Sequence, residues 1–168
     1  MIYNIKRLIR LTMLLVCTAC TSQPKQVTEV SEPAPIYPDY TNVTIPYNIA
    51  PLNFLLRNEV SALQVTVSGQ QESLTVHGNR KVCFPLRKWK NLLEAEKGQT
   101  LTVTITAKVE GKWLQYPTFT WKVVSEKLDS FLSYRLIEPG YEVWNTIQLC
   151  ERNIETFEEK VIADNNLV

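Results

Sequence analysis

The sequence predicts a mainly β protein: an immunoglobulin-like antiparallel β-sandwich with one short inserted helix and an irregular C-terminal extension. Three observations predict it. Apolar residues alternate with polar ones through most of the middle of the chain, the pattern of strands that bury one face and wet the other. Glycine-containing pairs separate neighbouring runs, as tight hairpin turns require. A single stretch breaks the period of two for a helical one.

In order, Leu52, Phe54 and Leu56 form the first alternating set, then Leu63, Val65 and Val67, then Leu74 and Val76, then Val82, Phe84 and Leu86. The cleanest run places Leu101, Val103, Ile105, Ala107 and Val109 on one face and Thr102, Thr104, Thr106 and Lys108 on the other. Phe119, Trp121 and Val123 repeat it. Gly69-Gln70, Gly78-Asn79 and Glu110-Gly111 are the turns. The helix is expected from about Arg87 to Lys97, with Trp89, Leu92 and Leu93 on its inner side and Gly98 as its stop. Two small face-to-face sheets with a helix closing one connection have the architecture of a sandwich.

The front of the chain is an address. Lys6, Arg7 and Arg10 precede a short apolar run that ends Leu14-Leu15-Val16-Cys17-Thr18-Ala19-Cys20. A basic start, an apolar stretch and a small residue before the cut describe a secretory signal peptide. The cysteine after Ala19 gives it the form of a bacterial lipoprotein signal, with cleavage before Cys20 and acylation of that residue. Cys17 stands where such signals usually carry leucine, so an ordinary cleaved signal is the alternative. The run from Leu8 to Ala19 is shorter than the ~20 residues a membrane-spanning helix needs. No acidic run follows in Thr21-Ser22-Gln23-Pro24, which points to the periplasmic face of the outer membrane. The chain thus divides into a lipoprotein signal peptide (1–19), a flexible tether (20–35) rich in Ser, Thr, Gln, Glu, Lys and Pro, a β-sandwich domain (36–128) and the C-terminal extension (129–168).

Composition excludes several functions. The formal net charge is +1 and three positive charges belong to the leader, so the remainder carries no basic footprint for nucleic acid and its membrane tie is covalent. His77 is the single histidine. Without cysteine or carboxylate partners at ligand spacing it predicts neither a metal site nor a catalytic base, but an exposed residue beside a turn. No nucleophile elbow, phosphate loop or metalloprotease motif occurs. The pairs Glu138/Glu142 and Glu158/Glu159 read as solvated faces rather than an acid and a base. The expectation is therefore no enzyme, no cofactor and no metal. Cys83 and Cys150 lie in different segments, and no disulfide between them is expected. The sequon Asn42-Val43-Thr44 carries no weight behind a bacterial signal.

Two leads remain. Tyr37, Tyr40, Tyr47, Trp113, Tyr116, Tyr134, Tyr141 and Trp144 could supply flat faces for sugar rings. After Val124 the chain also keeps a second supply of apolar residues: Tyr134, Leu136, Ile137, Tyr141, Val143, Trp144 and Leu149. The sandwich already has enough strands to close. This surface must fold back, meet a partner or drive self-association, because exposed apolar area costs ~25 cal/mol per Å². Tyr134, Leu136, Ile137, Tyr141, Val143 and Trp144 are accordingly the candidate docking surface.

Two strings carry a resemblance: Ile36-Tyr37-Pro38-Asp39-Tyr40 with Ile45-Pro46-Tyr47-Asn48-Ile49-Ala50-Pro51-Leu52-Asn53-Phe54, and Tyr134-Arg135-Leu136-Ile137-Glu138-Pro139-Gly140-Tyr141-Glu142-Val143-Trp144-Asn145. They resemble the N-terminal region of TolB-like β-propeller lipoproteins, often labelled cytochrome c-biogenesis or WD40-like, over roughly residues 36–166. The resemblance implies a sandwich that precedes a propeller, with the residues after Tyr134 leading into it. This sequence has no Cys-x-x-Cys-His and no propeller blades, so no haem or propeller role passes to any residue here. Together these readings predict a non-catalytic, membrane-anchored lipoprotein module that docks another domain or an envelope protein; the alternative is a carbohydrate-binding lipoprotein using exposed Trp and Tyr.

Overall fold

The computed structural model describes residues 26–137 and 147–165. Cys20, Tyr141, Val143 and Trp144, together with Glu138 and Glu142, lie outside the described residues. The chain forms β1 (Val27–Glu29), β2 (Ile36–Tyr37), β3 (Val43–Pro46), β4 (Phe54–Leu56), β5 (Ala62–Ser68), β6 (Ser73–Gly78), β7 (Lys81–Val82), α1 (Leu86–Ala95), β8 (Thr100–Val109), β9 (Lys112–Gln115), β10 (Phe119–Val124), β11 (Phe131–Ile137), β12 (Ile147–Asn153) and β13 (Glu159–Asp164).

The longest alternating run makes the organising strand. One edge of β8 pairs with β5, Ile105 opposite Val65, and β6 extends the sheet beyond β5. Its other edge is shared: β10 takes the first half, Leu101 opposite Trp121, and β9 takes the second, Ala107 opposite Leu114. β1 then runs parallel beside β9, and β3 parallel beside β10. A smaller sheet, β2-β4-β7, supplies strands for the second layer. Inward residues of both sheets enter one core, with Leu63, Val65, Val67, Leu101, Val103 and Ile105 from the large sheet and Ile36, Phe54, Leu56 and Val82 from the small one. Among the described residues, the mainly β sandwich with one helix is the architecture the alternation predicts.

The helix joins this core through its apolar side, where Trp89, Leu92 and Leu93 are buried. Pro85 precedes it, its carbonyl accepting the Trp89 N–H at 2.9 Å; proline's fixed φ suits a helix start. Gly98, at φ +74°, turns the chain into β8. Trp89 and Trp121 lie 5.6 Å apart, edge to face, and Phe84 and Phe119 close the aromatic cluster. Both indole N–H groups find carbonyls: Trp89 donates to Ile49 O at 3.0 Å and Trp121 to Tyr40 O at 2.7 Å. The aromatic, proline-punctuated strap from Ile36 to Pro51 is thereby tied to the sandwich, since both carbonyls belong to it.

Four local expectations change. The segment read as flexible tether over 20–35 includes β1, and Val30 N–H donates to Gln115 O at 3.0 Å. The three side chains of β1 are exposed; backbone bonds hold it, which a compositional reading of side chains does not see. Gly78-Asn79 makes no hairpin, because β7 pairs with β4 and the chain there changes sheets. The Val82, Phe84, Leu86 alternation is a strand only to Val82, since Pro85 ends it and the helix begins at Leu86. Finally, the extension carries regular structure: β11, β12 and β13 form an antiparallel meander.

Candidate functional site

The meander is held to the sandwich by a polar joint. Asn48, a buried residue of the strap, accepts the Leu128 N–H at 3.2 Å and donates to Leu128 O at 2.9 Å and to Glu155 Oε1 at 3.4 Å. Ser130 Oγ donates to the same Glu155 oxygen at 3.0 Å, while Lys90 Nζ from α1 lies 3.0 Å from Oε2. The Ala50 N–H donates to Ile154 O at 2.8 Å. Lys90, Ser130 and Asn48, in that order, hold the Glu155 carboxyl below its ordinary range against the opposing effect of burial. Charge-assisted bonds favour the ionised form, so this joint is set at neutral pH.

What the joint positions is a sheet with little cover. Nine of the twelve exposed large apolar side chains among the described residues lie from Leu128 onward. Phe131 and Leu132 are more than half exposed, at 56% and 55%, and Leu136, Ile137, Leu149, Val161 and Ile162 are exposed too. Facing pairs share a face. Phe131, Ser133, Arg135 and Ile137 therefore stand on one side with Asn153, Glu151, Leu149 and Ile147; Leu132, Tyr134 and Leu136 stand on the other with Arg152, Cys150 and Gln148. The first side carries two open hollows. One, about 520 Å³, is lined by Phe131, Glu151, Asn153 and Lys160; the other, about 410 Å³, by Arg135, Ile147, Leu149 and Ala163.

Of the expected docking residues, Leu136 and Ile137 are exposed, on opposite faces. Tyr134 is half-buried and already engaged: its hydroxyl donates to Glu159 Oε2, the same oxygen takes an Arg152 N–H, and the guanidinium lies 5.8 Å from the ring centre. Phe131, Leu132, Val161 and Ile162 belong to the exposed set but were not singled out by the sequence. Their signal is adjacency: neighbours in a regular strand point to opposite faces, so Phe131-Leu132 puts apolar groups on both sides.

The other readings can be placed as well. His77 is exposed on β6 opposite Gln64. Cys83 is exposed and Cys150 buried, both as free thiols. Glu158 is exposed, and Glu159 is committed to Tyr134 and Arg152. No group of three His, Cys, Asp or Glu side chains that could hold a metal occurs among the described residues. No described helix is long and apolar enough to cross a membrane. The aromatic side chains do not form a platform among the described residues: Trp89 and Trp121 are in the core, Trp113 is half-buried, and Tyr37 is the one exposed tyrosine or tryptophan.

A buried carboxylate without a local pattern to mark it lies at the end of α1. Glu96 is fully buried, and its carboxylate accepts the backbone N–H groups of Gln70 at 3.0 Å, Gln71 at 2.6 Å and Glu72 at 2.8 Å. It fills the β5–β6 turn. Comparison with protein-family profiles, with characterised proteins and with solved structures gives no match to this chain.

Proposed function

We propose that this chain is a non-catalytic, lipid-anchored module of the cell envelope whose C-terminal sheet docks another protein or domain. The observation that carries the reading is the two-sided exposure of apolar residues on β11, β12 and β13, beside a sandwich whose own core is closed. Monomeric proteins rarely leave such patches uncovered, and large ones mark interaction sites. The fixed joint at Glu155 supports it, because a docking surface gains from being rigidly presented. The resemblance of the Tyr134–Asn145 string to the region leading into a propeller fits the same role.

Leu136→Lys tests the surface. The residue is exposed, so its melting temperature should stay close to that of the wild type, as surface substitutions usually fall within about ±0.5 kcal/mol. A photo-crosslinking residue at position 136 in intact cells should give a protein adduct, whereas one at the exposed turn residue Glu110 should not. Equal adduct at both positions, or none at 136, rejects the surface.

The anchor is tested separately. Cys20→Ser should abolish acyl labelling and leave an uncleaved precursor, since no thiol remains to receive the acyl chain. Unchanged labelling, or a mature N-terminus elsewhere, rejects the lipoprotein assignment. Protease access on intact cells checks the periplasmic orientation.

A further inference from the structure

The two outer strands of the C-terminal sheet are protected unequally. β13 carries Glu159, Lys160 and Asp164, and its register shifts at Ile162. Charges and bulges are how native sheets keep an edge from pairing with another chain. β11 reads Phe-Leu-Ser-Tyr-Arg-Leu-Ile, with Arg135 as its one charge, no proline, and an unbroken register against β12. It is an open edge.

Its backbone direction follows from the ladder. The Ile154 N–H donates to Ser130 O at 2.9 Å, so 130 and the even-numbered residues after it exchange bonds with β12. Antiparallel ladders alternate, which turns the N–H and C=O groups of Phe131, Ser133, Arg135 and Ile137 outward. Among the described residues, β12 is the only strand paired with β11.

The same strand is self-complementary about Tyr134. Laid antiparallel against a copy of itself with the two Tyr134 residues opposed, Phe131 meets Ile137, Leu132 meets Leu136 and Ser133 meets Arg135. Each of the outward-bonding residues then faces another outward-bonding residue, so the register satisfies both backbones. Charge agrees with it: Arg135 avoids its own copy and lies beside Ser133, and the next residue across the ladder from Ser133 is Glu151. The small serine leaves the guanidinium a path to the partner's Glu151. A register displaced by two residues would oppose Phe131 to Arg135.

We propose that β11 pairs antiparallel with β11 of a second copy of this chain, forming a two-fold dimer with one continuous six-stranded sheet centred on Tyr134. Such an isologous contact uses one patch twice. It rests on the docking reading above and names the occupant.

The test uses the full chain in membranes, with Cys83→Ser and Cys150→Ala to remove competing thiols. Tyr134→Cys in that background should cross-link to twice the chain mass under mild oxidation, because facing residues across a non-bonded antiparallel pair lie within disulfide reach. Ser133→Cys, which faces Arg135 instead, should give at least tenfold less dimer. Ser133→Pro removes an outward N–H while sparing the bonds to β12, and added to Tyr134→Cys it should reduce cross-linking at least tenfold. No cross-link from folded Tyr134→Cys, or equal cross-linking at 133 and 134, overturns the dimer. If the photo-adduct at 136 is then to a different protein, docking stands and only the two-fold pairing fails; an adduct of twice the chain mass supports both.

Discussion

Trp121→Ala is expected to cost about 4 kcal/mol, within the range for large aromatic truncations in a core. That is a substantial share of the 5–15 kcal/mol by which domains are stable. The side chain is fully buried and touches Phe84, Trp89 and Phe119, with ring centres 6.1, 5.6 and 6.0 Å away. Its loss opens a void where both layers and the helix meet. It also leaves the Tyr40 carbonyl without the 2.7 Å indole bond, loosening the strap. Trp121→Phe keeps most of the ring but not the donor, and should cost about 1–3 kcal/mol. Trp113→Ala, at a half-buried place on β9, should cost less than either. Urea unfolding followed by circular dichroism measures all three. A Trp121→Ala midpoint equal to that of Trp113→Ala would show that the cluster is not the centre of the core.

The second large effect belongs to Glu96. Burial alone would raise its carboxyl, but the N–H groups of Gln71, Glu72 and Gln70 outweigh it and hold the group below its ordinary value of 4.5. A folded-state value below the unfolded one means that stability is fully present above about pH 4.5 and is lost as pH falls through the depressed value. Glu155 is depressed in the same direction, so both contribute to the same acid limb. Glu96→Gln should therefore lower stability at pH 7 by about 2 kcal/mol, the scale of a hydrogen bond to a charged group. It should also flatten the loss on acidification. A variant with an unchanged acid limb would remove Glu96 from this role. The adjoining glycine gives an independent check. A Cβ on Gly69 would overlap Glu96 Cδ, so Gly69→Ala should destabilise the wild type and cost much less alongside Glu96→Ala, as residues sharing one contact couple.

Much of the fold is legible locally because its cause is local. The alternation from Leu101 to Val109 becomes β8, with Leu101, Val103, Ile105 and Ala107 buried. Trp89, Leu92 and Leu93 on one side of a helical stretch become the buried side of α1. Glu110-Gly111 becomes a turn with positive φ at both residues, the geometry that twisted hairpins favour. The exposed apolar residues of the C-terminal sheet are legible as an excess of apolar residues after Val124, since that excess is a matter of composition.

What composition and period could not fix is who pairs with whom. β1 and β3 join the sheet in parallel, outside β9 and β10 on the same side of β8, through backbone bonds between segments distant in sequence and without a side-chain signal. Gly69 reads as a residue needed for turn conformation, but it serves to let Glu96 approach. Glu155 and Asn48 carry no local pattern that marks them; folding brings them together across 107 positions and makes them the joint. Tyr134 reads as a free docking residue, yet the ladder spends it on Glu159 and Arg152. Which residues are buried and which alternate follows largely from the order of amino acids, because hydrophobicity acts residue by residue. Which edge is left unpaired among the described residues, and which charges find partners, follow from the folded arrangement, because those depend on contacts between segments far apart along the chain.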